Sequence, residues 1–110
     1  MSDRDLTAWL AMRAPRPPEA LARALAQAVA EPPAKPVAEP PADLTLAAGA
    51  ALRRALALGD ARPAAWELLT ADALLTYAIE QAAEAGAEPL ARLLGELTPD
   101  RVARLAGVSL

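Results

Sequence analysis

The stretch Pro63–Ala85, PAAWELLTADALLTYAIEQAAEA, decides how this chain must fold. Read at about 100° per residue, it is a helix that is apolar on more than one side. Leu68, Leu75, Ile79 and Ala82 gather on one face, and Trp66, Ala73 and Tyr77 on another. Leu69 and Leu74 lie outside both groups. A helix lying on a protein surface needs a single apolar stripe, so one greasy on several sides belongs inside a bundle. Such a helix needs partner helices, from this chain or from another.

The flanking sequence supplies candidates. Pro63 suits the first position of a helix, and Gly86 ends it. Upstream, Asp43 or Thr45 can cap a helix running to Leu58, with Gly59 at the left-handed position that closes it. Leu52 and Leu56 share a stripe there, flanked by Arg53 and Arg54. Downstream, Pro89 opens a helix carrying Leu90, Leu93, Leu94 and Leu97 at i, i+3, i+4 and i+7, an amphipathic pattern. Thr98-Pro99-Asp100 caps a last short helix with Val102 and Leu105, stopped by Gly107. Helices 44–58 and 88–97 are therefore expected to cover Leu68, Leu75 and Ile79.

Toward the amino terminus, residues 5–13 form a short helix with Leu6, Trp9 and Leu10 on one side. The Ala14–Pro18 stretch interrupts it, because proline disfavours helix in the residue before it. Pro17 or Pro18 opens a second helix whose stripe is Leu21, Leu25 and Val29. Next comes EPPAKPVAEPPAD, Glu31 to Asp43, where five prolines in thirteen residues argue against helix and for an extended polyproline spacer. Pro33-Ala34-Lys35-Pro36 fits a P-x-x-P spacing, but one match inside a proline-rich linker is read as spacer. The expected organisation is an N-terminal helical pair over 1–30, a linker over 31–43 and a helical bundle over 44–110.

Composition agrees with an all-α fold. The 31 alanines and 19 leucines favour helix, while scarce Val and Ile, absent Phe and no period-two stretch argue against strands. The net charge of −3 is spread along the chain with no basic block, so nucleic acid is disfavoured as a partner. Cysteine and histidine are both absent, which removes disulfides, thiolate nucleophiles, imidazole bases and nearly every zinc site. No uncharged apolar run approaches the ~18–20 residues that span a bilayer. The start MSDRDLTAWL lacks the apolar stretch of a secretory signal. The expectation is a cytoplasmic protein with no membrane, metal or cofactor.

The chemistry-bearing residues are few. Asp72, Thr76, Glu80 and Glu84 fall at successive i+4 positions, a polar stripe on the long helix. The stripe reads first as the helix's solvated face. Leu69 and Ala83 share its angular range, so Asp72 is also a candidate for partial burial, with Arg53, Arg54 and Arg92 as candidate partners. Asp72 and Glu80 are two turns, roughly 12 Å, apart along the axis, too far for a glycosidase-type carboxyl pair. Phosphate-loop, dinucleotide-binding and nucleophile-elbow motifs are absent, and the two serines, Ser2 and Ser109, have no histidine to activate them. No catalytic, metal-binding or cofactor-binding residue is assigned.

Two segments carry resemblances. Leu69-Thr70-Ala71-Asp72-Ala73-Leu74-Leu75-Thr76-Tyr77-Ala78 resembles the A-G-D-A-L-L helix of trans-polyprenyl diphosphate synthases, which are all-helical. Asp72, Leu74 and Leu75 match, and Ala71 stands where that family usually has glycine. The family's two D-D-x-x-D motifs, which grip Mg²⁺-diphosphate, have no counterpart here, since no two aspartates are adjacent. What the resemblance implies is an accessory, non-catalytic subunit or a degenerate relative. Leu97 to Ser109, LTPDRVARLAGVS, is similar to the first helix and turn of helix-turn-helix DNA-binding domains. In those domains the groove-reading helix follows the turn, and here only Leu110 does. A capped terminal helix is the simpler reading.

The sequence thus favours a non-enzymatic protein–protein interaction module, a small all-α bundle of five or six helices. It would associate with itself or with another helical protein, since small cores are often completed by oligomerisation. Trp66 and Tyr77, about three turns apart on one face, are its candidate anchors.

Overall fold

The computed structural model describes residues 3–30 and 40–108, apart from the side chains of 3–5 and 40–43. Six helices and no strand account for the secondary structure of the described residues. They are α1 (Asp3–Ala11), α2 (Glu19–Ala30), α3 (Pro40–Leu58), α4 (Arg62–Ala85), α5 (Ala87–Glu96) and α6 (Pro99–Leu105). The expected all-α bundle around a long helix is what the chain forms.

The long helix α4 is buried along a stripe between the two apolar faces read from its sequence. Ala64, Ala71, Leu74, Ala78 and Ala82 are buried on it, together with Thr70 and Gln81. Opposite them, α3 contributes Leu44, Ala48, Ala51 and Ala55. Their spacing, i, i+4, i+7 and i+11, keeps one face of α3 on its neighbour. Alanine here is not filler: side chains this small let two helices lie close together. Leu44 and Leu74 are the largest side chains wholly removed from solvent.

Proline and glycine set the ends. Glu31–Glu39 of the expected spacer lies outside the described residues, but its last four positions, 40–43, are helix. The reading of Pro40-Pro41 as non-helical is corrected: both prolines sit in the first turn of α3, where backbone N–H groups have no intrahelical acceptor to lose. Thr45, one of two expected caps, is instead buried within α3. Gly59, at φ 68°, closes α3 by donating its N–H to the Ala55 carbonyl. The hydroxyl of Thr98 accepts from the Arg101 N–H at 3.3 Å, the N-cap read from sequence. At the end of α6 the Gly107 N–H bonds the Arg104 carbonyl and the Val108 N–H bonds the Ala103 carbonyl. Those two bonds make a Schellman cap.

Helix α5 folds back along α4 after Gly86, and α6 packs across α3. The α6 contact is close because Gly49 is a glycine. A Cβ there would stand 2.8 Å from the Leu105 carbonyl oxygen. The N-terminal pair docks on this framework: Leu6, Leu21, Leu25, Ala28 and Val29 share one apolar cluster with Leu44, Leu74, Ala78, Ala82 and Leu93. Among the described residues no helix is long and apolar enough to cross a membrane.

Candidate functional site

Coverage of α4 is unequal along its length. Leu75, Tyr77 and Ile79, in the second half, are partly buried against the core cluster. In the first half Trp66, Leu68 and Leu69 remain 41%, 52% and 44% exposed. The expectation that Leu68 is covered by its neighbours is therefore corrected. The reason is length. Helix α5 has 10 residues and α4 has 24, so at 1.5 Å per residue α5 reaches back only about 15 Å. Leu68 lies about 26 Å from the α4–α5 turn by the same rise. Leu94, on the outer edge of the α5 stripe, is also exposed.

The result is an apolar groove of about 420 Å³ where α3, α4 and α6 meet. Leu56, Leu68 and Val108 form its projecting walls, and Leu52, Ala55 and Val102 line it between them. Leu56 is 60% exposed. Of the described residues that line the groove only Asp60 is charged, and Asp72, Arg53 and Arg104 flank lining residues. Asp60 lines it at the α3–α4 turn, and the exposed Asp72 follows Leu68 by one helical turn. At the α3–α6 side Arg53 lies against Gly107, its Nε 3.3 Å from where a Cβ on that glycine would stand. Arg104 is exposed on α6 nearby in sequence.

The other flank of α4 is closed by the N-terminal pair. Trp9 meets Tyr77 edge to face, with ring centroids 6.2 Å apart and an interplanar angle of 87°. The Arg13 guanidinium stacks on Trp9 at 3.9 Å from the ring centroid. Glu84 binds both: it accepts from Trp9 Nε1 at 3.0 Å and from Arg13 Nη1 at 2.6 Å. The hydrogen bond from Arg13, followed by that from Trp9, holds the Glu84 carboxyl below its ordinary value of 4.5. One carboxylate on α4 thus clamps Trp9 of α1 and Arg13, two residues beyond its end.

The two aromatic residues singled out in the sequence fall in different surroundings. Tyr77 is packed beneath Trp9, whereas Trp66 lines a cleft of about 190 Å³ with Ala24, Gln27, Arg54 and Glu67. Asp72, Thr76, Glu80 and Glu84 are all exposed, so their polar stripe is the solvated face of α4 and Asp72 is not buried. The buried polar residues of α4 are Thr70 and Gln81, and the Thr70 hydroxyl donates to the Trp66 carbonyl at 3.0 Å. Arg54, offered as a partner for Asp72, pairs instead with Glu67 at 2.9 Å and ties α3 to α4. Sequence reading missed this pair and the Glu84 clamp because both join residues whose proximity depends on how helices dock.

No family model, curated protein or solved structure matches this chain. Its site must be read from its own geometry. Among the described residues no group of three His, Cys, Asp or Glu side chains is placed to hold a metal.

Proposed function

We propose that this chain is a non-enzymatic protein–protein interaction module that pairs with a second copy of itself through the α3/α4/α6 groove. The observation that carries the reading is the row of exposed Leu56, Leu68 and Val108 along one continuous apolar groove. Contiguous exposed apolar surface of this kind marks interaction sites on folded proteins. The edge charges favour a second copy as occupant. A two-fold contact sets a patch against its own reverse. Here that would bring Asp60, with Asp72 beside Leu68, of one copy toward Arg53 and Arg104 of the other. Opposite charges at the rim select register and suppress wrong partners more than they add affinity.

Light scattering coupled to size exclusion, run across a concentration series, tests this. The expected mass rises from one chain toward two. The double variant Leu56→Glu, Leu68→Glu should stay monomeric with its helical circular dichroism intact, because both side chains already face solvent. Trp66→Ala, on the opposite flank, should leave pairing in place. Tyr77→Ala should lower stability through its contact with Trp9. A single-chain mass at every concentration would overturn self-association.

A further inference from the structure

A second cavity, of about 140 Å³, opens at the α1–α2 corner, away from the groove. Leu10, Ala22, Leu25, Ala26 and Tyr77 give it apolar walls. Arg13 and Arg16 also line it, and among the described residues no acidic side chain does. The two cations are not equivalent. Arg13 is neutralised by Glu84 and stacked on Trp9. Arg16 is exposed and makes no ion pair among the described residues. An apolar recess therefore carries at its rim one positive charge that has no ion-pair partner among the described residues.

Size and charge together restrict what fits. A protein cavity of about 150 Å³ holds benzene, so this one suits a tail of roughly four to six carbons. A guanidinium takes a carboxylate through two parallel hydrogen bonds and repels an ammonium. We infer that this cavity binds a small carboxylate with a compact apolar tail, the tail against Leu10, Leu25 and Tyr77 and the carboxylate at Arg16. Two sources offer that chemistry, a free short-chain acid and the carboxyl-terminal leucine of a peptide. Pocket binding of this kind is independent of pairing through the groove.

The test is an NMR titration of the ¹⁵N-labelled chain with 4-methylpentanoate and with N-acetyl-leucine, which mimics a peptide terminus. 4-Methylpentan-1-ol and 4-methylpentylamine serve as neutral and cationic controls. The expected result is saturable shifts centred on the amides of Leu10, Ala22 and Ala26, with a millimolar dissociation constant suited to so few atoms. The alcohol should bind at least about fivefold more weakly than the acid, and the amine more weakly still. Arg16→Gln, at an exposed position, should bring the acid down to the alcohol's affinity and leave the alcohol unchanged. Ala26→Leu, a good helix former that fills the cavity from α2, should abolish the site. Tighter binding of 4-methylpentanoate than of N-acetyl-leucine assigns a free acid as the natural ligand, and the reverse order assigns a peptide terminus. Absence of saturation by about 20 mM, well above the affinity such small ligands reach, would overturn the inference. So would shifts centred elsewhere, or an alcohol that binds as tightly as the acid.

Discussion

The two halves of α4 differ in what surrounds them more than in what they contain. From Ala73 to Ala82 the apolar side chains are covered while Thr76 and Glu80 face water: α3 packs on the alanine stripe, α5 on one flank, and Trp9 of α1 on the other. From Arg62 to Leu69 only the stripe itself is covered, and Trp66, Leu68 and Leu69 face outward. Both halves carry large apolar side chains. Coverage is therefore set by how far the neighbouring helices reach, and hydrophobicity alone does not report it. Surface left open by short neighbours is where a partner finds purchase.

The difference can be broken most forcefully at the enclosed end. Leu74→Ala empties a position that is wholly buried against α3 and should cost about 3 kcal/mol, read as a lower urea midpoint. Leu68→Ala, at the open end of the same helix, should change the stability of the monomer by less than about 0.5 kcal/mol. Similar losses for the two variants would show that the halves are equally packed.

A second effect lies at the edge of the groove. Gly49→Ala places a methyl group 2.8 Å from the Leu105 carbonyl oxygen, so α6 must shift away from α3. Overpacking of this kind should cost about 1–3 kcal/mol, with faster hydrogen exchange confined mainly to α6 amides. Loss of protection throughout α3 and α4 instead would mean that α6 is integral to the helix pair. Because α6 lines the groove through Val102, and Val108 follows directly from its cap, the same substitution should also weaken pairing.

The smallest effect belongs to the clamp. Glu84 has a folded-state pKa below its ordinary value of 4.5, so the folded chain binds its proton less readily than the unfolded chain. Its contribution is full above pH 4.5 and is lost as the pH falls through the lower folded value. Acidification through that window should loosen α1 from α4, seen as a change in Trp9 fluorescence and a modest fall in stability. Glu84→Gln should remove that pH dependence. A wild-type acid response retained in this variant would place its cause elsewhere.

Much of this architecture is written in local sequence. Helix order follows from proline and glycine placement. Leu21, Leu25 and Val29 are buried along the stripe their spacing describes, and Thr98 caps α6 as its position suggests. What could not be read locally is which direction a multiply apolar helix turns inward. In α4 the buried centre is marked by alanines, whose small size becomes meaningful only beside the matching alanines of α3. Sequence leaves open whether Asp72 is buried for the same reason, although its i+4 spacing with Thr76, Glu80 and Glu84 already favours the solvated face that the structure shows. Pro40 and Pro41 deceived for another reason: a proline cluster breaks a helix from within but is tolerated in its first turn.

The groove claim is open to a direct distance measurement because the chain has no cysteine. A single spin label at Asp72→Cys, beside Leu68 at the groove rim, reports on pairing through the dipolar coupling between two copies. Pairing through the groove should give a narrow intermolecular distance distribution that disappears in the Leu56→Glu, Leu68→Glu background. A label at Arg16→Cys, on the α1–α2 side, should give a longer separation. No intermolecular coupling at Asp72→Cys, or a shorter distance at Arg16→Cys, would contradict pairing through the groove.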